Sequence, residues 1–121
     1  GDWARFGLFV SRGGVWESEP LLPDNWVADA TTTTEPHLAH GKVDKNWRKG
    51  YGWHWWTFAD RSFQADGSRG QSIFIDPARE LVVARASAWP EDWVEKYDDQ
   101  THAFYSGLMA FVDSKSTAAK K

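Results

Sequence analysis

Nucleophilic catalysis by serine needs a base placed to take the hydroxyl proton. No Ser in the 121 residues is followed three positions on by a Lys that could serve as that base. Ser, His and Asp sets can be composed from the four His and many Asp, but any chain of this size offers such sets, so their presence alone carries no chemistry. His37 and His40 have a spacing that could ligate a metal only on a helix. Pro36 and Gly41 argue against a helix there, and no metal is expected. Gly67-Ser68-Arg69-Gly70 admits two readings: Gly67, without a side chain, would let another backbone approach closely, or the four residues simply close a hairpin. The nine Trp, beside seven Phe and three Tyr, weigh toward core or interdomain packing over a ligand platform. Such a platform would centre on Trp53 to Trp56, with Trp53 and Trp55 on its one face.

The elements that must position these residues follow from periodicity. Asp2 to Arg12 starts with Asp at an N-cap and sets Trp3, Phe6, Gly7 and Val10 at helical spacing; Gly13-Gly14 ends it. A connector over Val15 to Leu22 leads to a short helix from Pro23 to about Ala30, with Trp26 and Val27 buried. Helices therefore occupy residues 2–30. Thr31 to Lys49 shows no period and reads as a surface excursion. Gly50 to Phe58 alternates as a strand covered on both faces, and further strands follow over Ser62–Asp66, Gln71–Ile75 and Leu81–Ser87. Their close spacing implies antiparallel pairing, with the sheet spanning 50–87. Residues 91–113 form a helix whose stripe Tyr97, Thr101, Phe104, Leu108 and Phe111 is expected to pack on the sheet. The tail 114–121 is expected to fray. The fold class is α+β, an antiparallel sheet packed by a C-terminal helix, in one domain portion over 1–113.

Composition narrows the function. Fourteen Lys and Arg against seventeen Asp and Glu, a formal charge of -3 and a pI near 5.8 leave no basic excess for phosphates, so no nucleic-acid partner is expected. Apolar runs are far shorter than the roughly 20 residues of a membrane span, so no membrane partner is expected either. The absence of Cys removes disulfides and thiolate metal sites.

Gly50-Tyr51-Gly52-Trp53-His54-Trp55-Trp56, followed by Phe63-Gln64-Ala65-Asp66-Gly67-Ser68-Arg69-Gly70-Gln71-Ser72-Ile73-Phe74-Ile75-Asp76-Pro77, resembles the C-terminal region of β-lactamase-related serine hydrolases. The likeness is greatest to 6-aminohexanoate-dimer hydrolases and class C-like esterases. Asp2-Trp3-Ala4-Arg5-Phe6-Gly7, Gly13-Gly14-Val15-Trp16, Leu22-Pro23, Trp26-Val27 and Ser87-Ala88-Trp89-Pro90 follow in the same order as in that family.

The resemblance implies a partial β-lactamase/transpeptidase-like fold in which the strand ending Ala65-Asp66-Gly67-Ser68 borders a cleft. The backbone N–H of Ser68 then serves as an oxyanion donor, with Gly67 allowing close approach. Ala65, Asp66, Arg69, Gly70 and Gln71 would line the substrate, with Trp53 and Trp55 beside them. Ala65 stands where penicillin-binding enzymes carry Lys, which favours amide or ester substrates. An alternative frame lays Ser68-Arg69-Gly70 over the motif and makes Arg69 the cationic group. The family's Ser-x-x-Lys nucleophile and its Tyr base precede this region, so the expected partner is an N-terminal segment of the same fold, with no cofactor. The isolated chain is expected to be inactive and to self-associate through unpaired strand edges and exposed aromatics. A free-standing Trp-rich binding module is the alternative function.

Overall fold

In the computed structural model, which describes residues 1–120, Asp2–Ser11 forms α1. Asp2 is its first residue rather than its cap, and Gly1 takes the N-cap position. Gly7 explains how closely the helix approaches the sheet, because a Cβ there would lie 2.5 Å from Val82 Cγ1 and 3.0 Å from Ile73 Cγ2. Val10 is buried beside it, whereas Trp3 and Phe6 from the same predicted stripe stay 70% and 43% exposed. Gly13 and Gly14, at φ +71° and +84°, end the helix as expected, since Gly adopts the left-handed region without a Cβ clash.

The connector holds a small hairpin, β1 (Val15–Trp16) with β2 (Glu19–Pro20). Its turn residues Glu17 and Ser18 both have positive φ, the backbone twist that two-residue hairpins need. The short helix α2 covers only Trp26–Ala30, because Asn25 is left-handed at its start. Pro23 sits in the preceding turn, its carbonyl accepting from Trp26 N at 3.1 Å. Ala30 is fully buried, Val27 packs on the core, and Trp26 is exposed.

The expected strand over 50–58 is instead a hairpin of β3 (Gly50–Tyr51) and β4 (Trp56–Thr57). His54, at φ +64°, reverses the chain between them. Alternation continued through the turn and hid it. Three longer strands follow, β5 (Phe63–Gly67), β6 (Gln71–Asp76) and β7 (Leu81–Arg85), in a five-stranded antiparallel meander of order β3-β4-β5-β6-β7. Asp76 caps the turn before β7 by accepting from Arg79 N.

The architecture is α+β, with α1 and the last helix on opposite faces of the sheet. Phe63, Ile73 and Ile75 form the core with Val10, Ala30 and Trp55 on the α1 face. On the other face lies α3 (Glu95–Ala119). Tyr105 stacks on Phe74 at 4.4 Å and bonds to the Ser72 hydroxyl at 2.7 Å.

Two expectations for this last helix need correction. It starts at Glu95, because residues 87–94 are drawn to the β5–β6 hairpin, and it runs through Ala119, so residues 114–119 are helical and not frayed. Lys121, the end of the expected tail, lies outside the described residues. The face turned to the sheet is Asp98, Thr101, His102 and Tyr105. From the predicted stripe, Thr101 is buried and Leu108 half-buried, but Tyr97, Phe104 and Phe111 are 36%, 55% and 58% exposed. The sheet face beneath α3 presents Ser72, Gln64 and the inward-turned Asp66 beside Phe74, and Tyr105 meets it with a ring for Phe74 and a hydroxyl for Ser72.

Candidate functional site

Alternation along β5 divides the candidate residues between two faces. Phe63 and Ala65 face α1 and the core, while Gln64 and Asp66 face α3. At the end of the strand, Gly67 pairs with Gln71, enclosing the turn Ser68–Gly70. Arg69 and Gly70 both take the left-handed conformation, at φ +60° and +82°. The four residues do close a hairpin, and its tip is pinned to one conformation by the segment leading into α3.

That clamp is dense. Arg69 N donates to Asp92 O at 3.1 Å, and Trp89 N donates to Arg69 O at 3.2 Å. The Ser68 hydroxyl donates to Asp92 Oδ1 at 2.7 Å. Gln71 Nε2 donates to Ser87 O, and Ser87 N donates back to Gln71 Oε1. Arg85 Nε donates to Gly70 O at 2.8 Å while its guanidinium lies over the Trp89 ring. A Cβ on Gly70 would overlap that indole, so only Gly lets the tip close against Trp89.

The tip separates two cavities. On the α1 side is one of about 350 Å³, bordered by Trp3, Ala65, Gly67, Gln71 and Ile73. On the α3 side is one of about 620 Å³, bordered by Gly67, Ser68, Asp66, Lys49, Trp56 and Trp93. Ala65, Asp66, Gly67, Ser68 and Gln71 are thus gathered at one place. Arg69 lines neither cavity, since its guanidinium donates to the carbonyls of Trp89 and Pro90, and Gly70 is buried beneath Trp89. Trp55 lies in the core against Phe63, so it does not line the site. Trp53 is half exposed, edge-on to Trp26, and Trp56 borders the larger cavity. The three indoles point into different surroundings and do not make a flat platform.

The cation of this region is Lys49, which sequence reasoning missed. Its side chain is 2% exposed, and Nζ lies 3.7 Å from Asp44, 3.8 Å from Asp66 and 4.0 Å from Asp98. Trp56 and Trp93 flank the ammonium, each ring centre at 5.5 Å. Asp66 has an exposed main chain but a side chain turned inward, and Gln64 Nε2 donates to it at 2.7 Å. Burial pushes its carboxyl above the usual range, against the opposing pull of Lys49 and the Gln64 bond, with Asp98 adding to the upward shift. Asp98 also sits 3.5 Å from His102 Nε2, and Trp47 stacks on that imidazole at 4.5 Å. The excursion over 31–49 is thereby fastened to α3 and to the back of β5. The three carboxylates come from distant, aperiodic positions, so the only sequence signal was a Lys at the edge of a strand.

No family model matches the chain. Over 115 residues, 92% of its length, it is 24% identical to the 6-aminohexanoate-dimer hydrolase of Paenarthrobacter ureafaciens. The relation is distant. The chain spans 28% of that hydrolase's length, and the similarity points to a hydrolase-like origin.

Proposed function

We propose that this chain is the C-terminal segment of a serine hydrolase acting on amide or ester bonds in small substrates, and that β5 and its turn form the oxyanion side of the cleft. The observation that carries this reading is the clamped tip at Gly67 and Ser68, set between two cavities in a chain with distant similarity to a hydrolase over most of its length. Acyl transfer develops negative charge on the carbonyl oxygen. A backbone N–H held in place beforehand stabilises that charge without reorganising, an effect of about 3 kcal/mol.

Roles follow residue by residue. The N–H of Ser68 donates to the oxyanion, Gly67 leaves room for the substrate backbone, and Ala65 offers a neutral wall with no cation for a substrate carboxylate. Nucleophile and base come from a segment N-terminal to this one, because no Ser here has a Lys three residues on. Among the described residues, large apolar side chains are widely exposed, Trp3, Phe6 and Leu21 among them, and such a surface suits a chain that packs on further structure. The scattered directions of Trp53, Trp55 and Trp56 give the binding-module reading no comparable support.

The test is to join the chain to an N-terminal segment carrying Ser-x-x-Lys, taken from its own upstream reading frame, and to assay activated esters and short amides. Turnover by the joined protein and none by the isolated chain is the expected result. Hydrolysis by the isolated chain that disappears on one Ser→Ala change would overturn the reading.

A further inference from the structure

Residues 100–112 of α3 contain no Asp, Glu, Lys or Arg, although the helix lies on the surface. Solvent-facing helix sides ordinarily carry charge. Instead Tyr97, Phe104 and Phe111 recur every seven residues on an exposed line, with Gln100, Gly107 and Ser114 exposed beside them. This seam lies to one side of the buried face, so the sheet does not use it. Sevenfold spacing is the period at which one helix keeps contact with another.

We propose that the seam binds a second copy of this chain, α3 against α3, antiparallel about a twofold axis passing beside Gly107. Three observations favour that occupant. Glu95–Ala119 is 25 residues long with Gly107 at its midpoint, and nothing lies within 4 Å of a Cβ built there, so two helices can approach closely at the axis. Antiparallel pairing sets Phe104 opposite Phe111 of the second copy. Beside Phe104 is a groove of about 320 Å³ formed with Trp89, Tyr97 and Thr101, and each copy's Phe111 meets the other's groove.

Charge decides the direction. Among the described residues, Lys115 is the one charged side chain on the seam between Tyr97 and Ala118, held over Phe111 at 5.2 Å. A parallel pair would bring the two Lys115 together, whereas the antiparallel pair places each opposite Gln100. With Asp98 buried against Lys49, the first turns of α3 remain net acidic at the surface through Glu95 and Asp99 against Lys96. Toward the far end, Asp113 is already taken by Arg79, leaving Lys115 and Lys120. Antiparallel ends therefore complement each other, and the helix dipoles do as well. This inference stands on α3 alone and does not depend on the proposed hydrolase function.

The chain has no Cys, so a single introduced thiol reports geometry directly. Gly107→Cys is expected to give a disulfide-linked dimer on mild oxidation. Ala118→Cys is expected not to, since antiparallel pairing holds the two positions about 33 Å apart. In sedimentation velocity the unmodified chain should show a dimer that dissociates reversibly on dilution. Phe104→Glu and Phe111→Glu should each shift it to monomer with unchanged circular dichroism. A monomer at every concentration up to the solubility limit, cross-linking through Ala118→Cys in place of Gly107→Cys, or a dimer indifferent to both Phe changes would overturn the proposal. So would conversion to a one-to-one complex lacking the Gly107→Cys cross-link when the upstream segment is co-expressed, which would assign the seam to that segment.

Discussion

Replacing Lys49 with Met removes the cation in contact with three carboxylates while keeping most of the side-chain volume. At an effective dielectric constant of about 20, each pair near 4 Å contributes roughly 4 kcal/mol of attraction, offset by the desolvation of Lys49 and by repulsion among Asp44, Asp66 and Asp98. The net loss on breaking a buried ion pair is about 3–5 kcal/mol. That is a large share of the roughly 5–15 kcal/mol that holds a domain folded. Urea unfolding at pH 7 should show this loss, and the gap to the unmodified chain should narrow toward pH 4. The sign follows from linkage: Lys49 opposes the upward push of burial on the Asp66 carboxyl, so without it that carboxyl holds its proton to higher pH in the folded state and the variant recovers relative stability as it protonates. Lys49→Met combined with Asp98→Asn should regain part of the loss at pH 7. A loss under about 1 kcal/mol at pH 7, or a gap that does not change with pH, would refute this account of the cluster.

Asp66→Asn should be at least as stable as the unmodified chain at pH 7, because the carboxamide oxygen it introduces can still accept from Gln64 while the buried charge is gone. The folded-state carboxyl titrates above its unfolded value, so the penalty for ionising it is absent below about pH 4 and grows as pH rises through the folded value. Urea midpoints across pH 4 to 7 should show the variant's margin widening upward, and a margin widening toward acid would contradict it. Gly70→Ala should destabilise by about 2 kcal/mol or more, from a positive φ combined with overlap on Trp89. A shift in Trp fluorescence should accompany it, and an unchanged melting temperature would count against the clamped tip. The isolated chain should hydrolyse p-nitrophenyl esters no faster than buffer.

The order of elements was legible because β5, β6 and β7 are separated by strong turn signals, Gly67 to Gly70 and Asp76-Pro77. Gly13-Gly14 marked the end of α1 in the same way. The hairpin inside Gly50 to Phe58 was not legible, because Trp and His alternate through it and His54 adopts a left-handed conformation that its residue type does not announce. The packing face of α3 was misread for a related reason. Hydrophobic periodicity finds the most apolar stripe, but the sheet face opposite mixes Phe74 with the Ser72 hydroxyl, and Tyr105 meets both, through its ring and its hydroxyl, where Phe104 and Phe111 could offer only a ring. At the candidate site, Ala65, Gly67, Ser68 and Gln71 are near neighbours in the chain and were legible as a unit. Lys49 was not, since its three partners are brought together only by folding.

We propose that the N–H of Ser68 serves a reacting carbonyl, and one comparison tests it in the chain joined to a Ser-x-x-Lys segment from its upstream reading frame. Ser68→Ala keeps the amide, and its hydroxyl bond to Asp92 is exposed, so turnover should be nearly unchanged. Ser68→Pro removes the donor and should lower kcat about 100-fold or more with little change in KM. Arg69→Ala, measured alongside, should have little effect, because its guanidinium serves the Trp89 and Pro90 carbonyls. Full turnover by Ser68→Pro, together with a large, substrate-charge-dependent loss in Arg69→Ala, would contradict the account and move the cleft contact to the Arg69 frame.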